Sequence, residues 1–169
     1  MGTKPTWVAG TVTSIRDLTP TVREMTLTMP VPAPLFVPGS HIQIKAVAGG
    51  RTIVRHYSLI GMDADRLTWR IAVRREDAGR GGSLYMWSLK PGSRLPVSGP
   101  HCNFELSNVA TERLLVAGGI GITPLIGMAD SLVRRRLPFR LLYAGRSRRE
   151  MPYVDELQQI CGASLDIVA

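Results

Sequence analysis

Alternation of apolar and polar positions dominates the first two-thirds of the chain. Over residues 67–74, Leu67, Trp69, Ile71 and Val73 take every second place, with Thr68, Arg70, Ala72 and Arg74 between them. A period of two sets these groups on opposite faces of an extended strand, one for a core and one for a polar surface. Residues 7–13, 23–29 and 41–47 repeat the pattern, with Met25, Leu27 and Met29 in the second run and Ile42, Ile44 and Ala46 in the third. Turn-forming clusters separate the runs, notably Met29-Pro30-Val31-Pro32-Ala33-Pro34 and Ala48-Gly49-Gly50. Short strands at this spacing predict a small antiparallel β-barrel, whose closure leaves no exposed sheet edge.

The pattern changes after residue 108. Residues 114–117 form a continuous apolar run, expected for a strand covered on both faces. Gly118-Gly119-Ile120-Gly121-Ile122-Thr123-Pro124 follows, with Thr123 placed to cap a helix and Pro124 to open it. Leu125, Met128, Ala129 and Leu132 then recur at helical spacing, and Arg134, Arg135 and Arg136 complement the helix C-terminus. A strand over 139–144, a helix over 153–161 closed by Gly162, and a strand over 164–168 complete a β-α-β-α-β series. This predicts an antiparallel β-barrel over residues 1–108, then a partial α/β doubly wound nucleotide-binding domain over 109–169. Three strands make a thin sheet, so a missing C-terminal part is expected.

Charge adds a partner class. The 169 residues carry a net charge of +8 and a pI near 10.3, which suits an anion: nucleotide phosphates, an acidic protein surface or nucleic acid. Two cysteines and three histidines are scattered without metal-ligand or redox spacing, so no iron–sulfur cluster is expected in this chain alone. The sequence has no apolar run of membrane-spanning length and no signal peptide, which makes cytoplasmic the default and a membrane role unexpected.

Three short segments carry candidate chemistry. Arg55-His56-Tyr57-Ser58 offers a guanidinium fork for phosphate, a ring to lie on a flat heterocycle and a hydroxyl for a ring nitrogen; a solvated barrel strand is the plain alternative. Alternation sets Arg55, Tyr57 and Leu59 on one face and Ser58 on the other unless the strand bends. Gly79-Arg80-Gly81-Gly82-Ser83 offers bare amides for a second phosphate contact, or is a hairpin turn or an isolated Arg-Gly-Gly segment. The glycine turn at 118–124 delivers amides to a helix N-terminus, a phosphate site or merely a tight turn. Its glycines do not match the dinucleotide fingerprint, since Pro124 stands where the last one belongs. Arg146, Arg148 and Arg149 follow the second parallel strand, where a ribose or a 2′-phosphate would lie, or form a basic loop. No hydrolytic triad or paired-carboxylate arrangement competes with these.

In this order, Arg55-His56-Tyr57-Ser58, Gly81-Gly82-Ser83 and Gly118-Gly119-Ile120-Gly121-Ile122-Thr123-Pro124 resemble the ferredoxin–NADP reductase superfamily. The nearest likeness is to the phthalate dioxygenase reductase and vanillate demethylase reductase group, strengthened by Ile71-Ala72-Val73-Arg74-Arg75-Glu76. The resemblance implies a flavin on the barrel: Arg55 on its phosphate, Tyr57 along the ring and ribityl chain, Ser58 near N5 as the catalytic candidate, and His56 within the same motif. It further implies Ala72, Val73 and Arg74 at the pyrimidine edge, and Gly81, Gly82 and Ser83 at the phosphate. Gly118, Gly119, Gly121, Thr123 and Pro124 would line the nicotinamide and pyrophosphate, and Arg146 would reach the adenosine half. The implied cofactors are FMN rather than FAD, with NADH or NADPH as donor. The implied reaction is hydride transfer from nicotinamide C4 to flavin N5, followed by single-electron delivery. The partners implied are a pyridine nucleotide and a [2Fe–2S] ferredoxin domain or oxygenase component, on a missing C-terminal part or a separate protein. Full-length relatives carry a Cys-Gly-Pro-type segment and often four ferredoxin cysteines, neither of which is here. The alternatives are a free-flavin reductase, a flavin-binding relay or inactive fragment without nucleotide turnover, and a basic nucleic-acid-binding barrel.

Overall fold

The computed structural model describes residues 6–107 and 112–169. β1 (Val8–Thr19), β2 (Val22–Thr28), β3 (Ser40–Ala48), β4 (Arg51–Met62), β5 (Thr68–Arg74) and β6 (Arg94–Cys102) close an antiparallel barrel in the order β1-β2-β5-β4-β3-β6. The alternating positions do what their period requires: Trp69, Ile71 and Val73 point inward with Met25, Leu27, Ile42 and Ile44, all essentially solvent-free. Each such side chain contributes about 1.5–3 kcal/mol to holding the barrel closed. β7 (Leu114–Gly118), β8 (Arg140–Ala144) and β9 (Leu165–Val168) form a parallel sheet in sequential order, linked through α2 (Thr123–Arg134) and α3 (Val154–Cys161). The boundary expected at 108 falls outside the described residues. Among those residues, no helix is long and apolar enough to cross a membrane, and no group of His, Cys, Asp and Glu could hold a metal ion.

Three local expectations are corrected. The segment after Gly81 is a helix, α1 (Gly82–Ser88), instead of a turn; it plugs the barrel with Met86, which is solvent-free. β7 is covered on one face only: Leu115 and Ala117 are buried, whereas Leu114 and Val116 are exposed. The reason is that α2 and α3 pack into one shared core on the same side of the sheet. Thr123 is the first residue of α2 and not its cap; its hydroxyl donates back to the Ile120 carbonyl at 3.0 Å, across the 3-10 turn Gly119–Ile122.

A second core joins the barrel to the α/β layer. Val22, Ile60 and Ala72, on the outer barrel face, pack with Ile122, Leu125, Ile126 and Tyr143. Ala72 is buried on a face that alternation assigns to solvent because the second layer covers it. Gly127 allows the close approach: a Cβ there would lie 3.1 Å from Phe36 Cζ and 3.3 Å from the Ile60 carbonyl oxygen.

Candidate functional site

β4 divides the Arg55–Ser58 motif between its two faces. Register with β3 sets Arg55 opposite Ile44 and Tyr57 opposite Ile42, both inward positions, while His56 faces Gln43 and Ser58 faces His41. A strand irregularity lies between Leu59 and Gly61, directly after Ser58, the last residue of β4 paired with β3. Arg55 lies against the start of α1: a Cβ at Gly82 would come within 2.6 Å of its Nε. A side chain at 82 would push that guanidinium out of this position. Arg55 donates to the Val54 carbonyl at 2.9 Å and has no carboxylate partner among the described residues, so its fork remains available to an anion. Burial pushes the Tyr57 phenol up to about 12, against the opposing charge of Arg55, and keeps it protonated as a donor. On the outer face His56 stacks on His41 at 5.1 Å between centroids, and His41 tilts toward His101 at 5.7 Å. Burial, then repulsion from His56 and His101, lowers the His41 pKa, so that ring favours its neutral form.

β5 and α1 face this motif. The β4–β5 ladder runs from Met62↔Trp69 to Leu59↔Ile71, so Ala72 and Val73 lie past its end, alongside Tyr57 and Ser58 of the diverging β4. The Val73 carbonyl accepts from Trp87 Nε1 at 3.2 Å, and the Arg23 guanidinium stacks 4.3 Å above that indole. Gly81 precedes α1, and Ser83 turns its hydroxyl back to the chain: it accepts from the Glu76 amide at 3.0 Å and donates to the Glu76 carbonyl at 3.3 Å. Ser83 therefore fastens the 76–83 loop behind the Arg55–Gly82 contact.

A cleft of about 540 Å³ opens where barrel and parallel sheet meet. Thr21, Val22 and Arg74 form one wall; Gly118, Gly119, Ile120, Ala144, Gly145, Arg146 and Glu150 form the other. The second wall is the carboxyl end of β7 and β8, the edge at which open parallel sheets bind ligands. Two guanidiniums beside a glycine backbone suit a phosphate-bearing ligand. Of the residues singled out from sequence, Arg74, Gly118, Gly119 and Arg146 meet here. Gly121, Thr123 and Pro124 stand on the adjoining turn and first turn of α2 and do not line the cleft; Arg55, Tyr57, Gly82 and Ser83 form the separate barrel-side cradle.

Sequence reasoning missed several contributors. Tyr143, solvent-free on β8, lies with its hydroxyl 3.1 Å from the Gly119 carbonyl and 3.1 Å from that of Pro152, pinning the glycine turn from below. Burial raises its pKa, so it remains a donor. A tyrosine in an otherwise apolar buried strand was the available signal, because a buried phenol needs a partner. Glu150, Thr21 and Val22 join the cleft only through tertiary folding and carry no local signature.

Comparison with known proteins identifies the family of the barrel. A family profile described as oxidoreductase FAD-binding domain matches residues 9–106. The heme-dependent oxidative N-demethylase beta subunit of Ectopseudomonas mendocina is 44% identical over 91% of this chain and 50% of its own length. The carnitine monooxygenase reductase subunit of Escherichia coli is 35% identical over 88% and 47% respectively. The solved structure of phthalate dioxygenase reductase, described as modular for electron transfer from pyridine nucleotides to [2Fe–2S], has a TM-score of 0.85 and 32% identity, covering 95% of this chain and 51% of that one. The chain thus spans about half the length of the curated relatives it matches.

Proposed function

The chain belongs to the oxidoreductase FAD-binding family, and from that premise we propose that it is the flavin-binding barrel and adjoining nucleotide-binding portion of an NAD(P)H-dependent reductase serving an oxygenase or demethylase. The observation that carries the reading is the single cleft joining Arg74 of the barrel to Gly118, Gly119 and Arg146 of the α/β layer. A flavin beside that cleft would be within reach of a dinucleotide seated in it. When bound, the flavin supplies the chemistry: it takes a hydride from the nicotinamide and passes electrons singly to an iron–sulfur acceptor.

The chain's own residues bind and orient. Arg55, which lies against Gly82, would hold the flavin phosphate, and Ser83 keeps the 76–83 loop in place behind that contact. Tyr57 would wall the ribityl side as a protonated donor, and Ser58 would offer its hydroxyl to a nitrogen of the flavin ring. The backbone at Ala72 and Val73 would serve the pyrimidine edge. Gly118 and Gly119 let the dinucleotide approach the main chain, Thr123 holds the following turn, and Arg146 meets the adenosine half. The acceptor is a [2Fe–2S] domain or oxygenase component beyond the present residues.

FMN is the flavin of this reading, because the reductase group the chain resembles captures the phosphate at the barrel without an adenine shelf. NADH is the donor: Glu150 lines the same wall as Arg146, and its carboxylate disfavours a 2′-phosphate there. Heat-released flavin run against standards tests the first point, with FMN expected; FAD overturns it. Anaerobic reduction with each nucleotide tests the second: a preference for NADH of tenfold or more is expected, narrowing in Glu150→Gln. A preference for NADPH contradicts it.

A further inference from the structure

The seam between barrel and α/β layer is closed by a charge network that belongs to neither ligand site. Glu24 on β2 is 7% exposed, and its carboxylate is shared out completely. Oε1 accepts from Arg16 Nη2 at 3.1 Å; Oε2 accepts from Arg70 Nε at 3.1 Å, from Arg70 Nη2 at 2.8 Å and from the Tyr153 hydroxyl at 2.9 Å. Arg70 on β5 also reaches α3, with Nη2 2.9 Å from Glu156 Oε2 and Nη1 3.2 Å from Oε1. Tyr153, the residue before α3, is buried and holds a left-handed backbone, φ 65°, that a non-glycine residue adopts only under constraint. Three members of the network, Arg16, Glu24 and Arg70, thus come from the barrel and two, Tyr153 and Glu156, from the start of α3.

Two contacts cross the seam: the Tyr153 hydroxyl donates to Glu24, and Arg70, already held by Glu24, extends to Glu156. Moving α3 breaks both at once and leaves a part-buried guanidinium and carboxylate with fewer partners, which favours one offset. An open pocket of about 350 Å³ lies beside Arg16, Tyr153 and Glu156, so the polar contacts add to the apolar packing of Met151, Tyr153 and Val154 at this end of the seam. The same elements carry the walls of the cleft. Val22 lies two residues from Glu24 on β2, Arg74 four residues from Arg70 on β5, and Glu150 three residues before Tyr153. Any slip in the network moves one wall against the other.

We propose that Glu24, Arg70, Tyr153 and Glu156 form a positioning latch that sets the separation of the flavin-bearing barrel from the nucleotide-bearing wall, and with it the approach of hydride donor to acceptor. The inference rests on the function proposed above. None of the four touches either ligand in that reading. Their effect is on geometry, where a displacement of about 1 Å costs on the order of a hundredfold in rate while affinity is kept.

The test uses the full-length flavin-loaded protein with Tyr153→Phe, which deletes one hydroxyl, and Glu24→Gln, which deletes the charge. Flavin and NADH dissociation constants are expected within about threefold of the unmodified protein, whereas flavin reduction slows at least tenfold. The isotope effect with C4-deuterated NADH is expected to rise and become temperature-dependent, which a purely structural weakening would not cause. In the flavin-free protein, hydrogen exchange over residues 153–161 is expected to quicken while the barrel strands stay protected. Faster exchange there with an unchanged reduction rate and isotope effect overturns the latch. Should Glu24→Gln fail to fold, Tyr153→Phe decides alone. If NADH does not reduce the unmodified protein, the functional reading falls, and the latch with it; if only the variants match the unmodified protein, the latch alone falls.

Discussion

Arg55 is a guanidinium that no carboxylate among the described residues neutralises, seated against Gly82, where a larger residue would displace it. A charged donor kept in that state contributes through what it binds. Losing its charge-assisted contacts costs about 1.5–3 kcal/mol, or roughly ten- to a hundredfold in flavin affinity. Arg55→Gln is expected to weaken flavin binding by that factor in a fluorescence titration, with the thermal midpoint of the apoprotein unchanged. Ser58 has the opposite profile: Ser58→Ala is expected to slow flavin reduction far more than it weakens flavin binding, and stopped-flow reduction at an unchanged rate removes Ser58 from the chemistry. Glu24 supplies a pH signature. Burial alone would raise its pKa, but hydrogen bonds and charge from Arg70, with Tyr153 and Arg16, outweigh burial and hold it below its ordinary 4.5. A carboxylate depressed in the folded state stabilises above its unfolded pKa, and that contribution fades as pH falls through the folded value. Denaturant midpoints are therefore expected to drop below about pH 4.5, and Glu24→Gln is expected to flatten that decline. An equally steep decline in the variant assigns it to other carboxylates.

At the scale of elements, β2, β3 and β5 were legible because a two-residue period needs no knowledge of neighbours. α2 was equally plain, since Leu125, Met128, Ala129 and Leu132 all reach the core their spacing indicates. α1 was not. Its seven residues lack a side-chain cap and an acidic first turn and include Tyr85 and Trp87, which favour strands by propensity. It is held by tertiary contacts that local sequence does not encode, through Met86 in the barrel core and Trp87 on the Val73 carbonyl. The apolar run in β7 misled for a related reason: hydrophobicity marks what a strand can bury, while coverage depends on where the crossover helices lie. The Glu24 network was beyond reach from sequence, because Tyr153 stands 129 residues from Glu24. The docking of α2 yields its own expectation. Gly127→Leu forces Phe36 and the Ile60 backbone apart, an overpacking cost of about 1–3 kcal/mol. The thermal midpoint is expected to fall by roughly 2–4 °C per kcal/mol; an unchanged midpoint means that the interface yields there.

For the whole molecule, two cores meet along one seam, and the cleft, the glycine turn and the buried network all lie on it. The resemblance drawn from three short motifs named candidate residues, yet it could not say which would meet. Arg74 joins Gly118, Gly119 and Arg146, while Arg55 and Gly82 form a separate cradle. That division fits the proposed reading, in which the barrel keeps a flavin and the cleft receives a nucleotide. The excess of 21 basic over 13 acidic residues suits two phosphate-bearing ligands. Anaerobic mixing of the flavin-loaded protein with NADH tests this account most directly. Rapid bleaching of the flavin's visible absorbance, slowed by Arg146→Ala through a weaker nucleotide affinity, is the expected result. A flavin that binds but stays oxidised under excess NADH would contradict it.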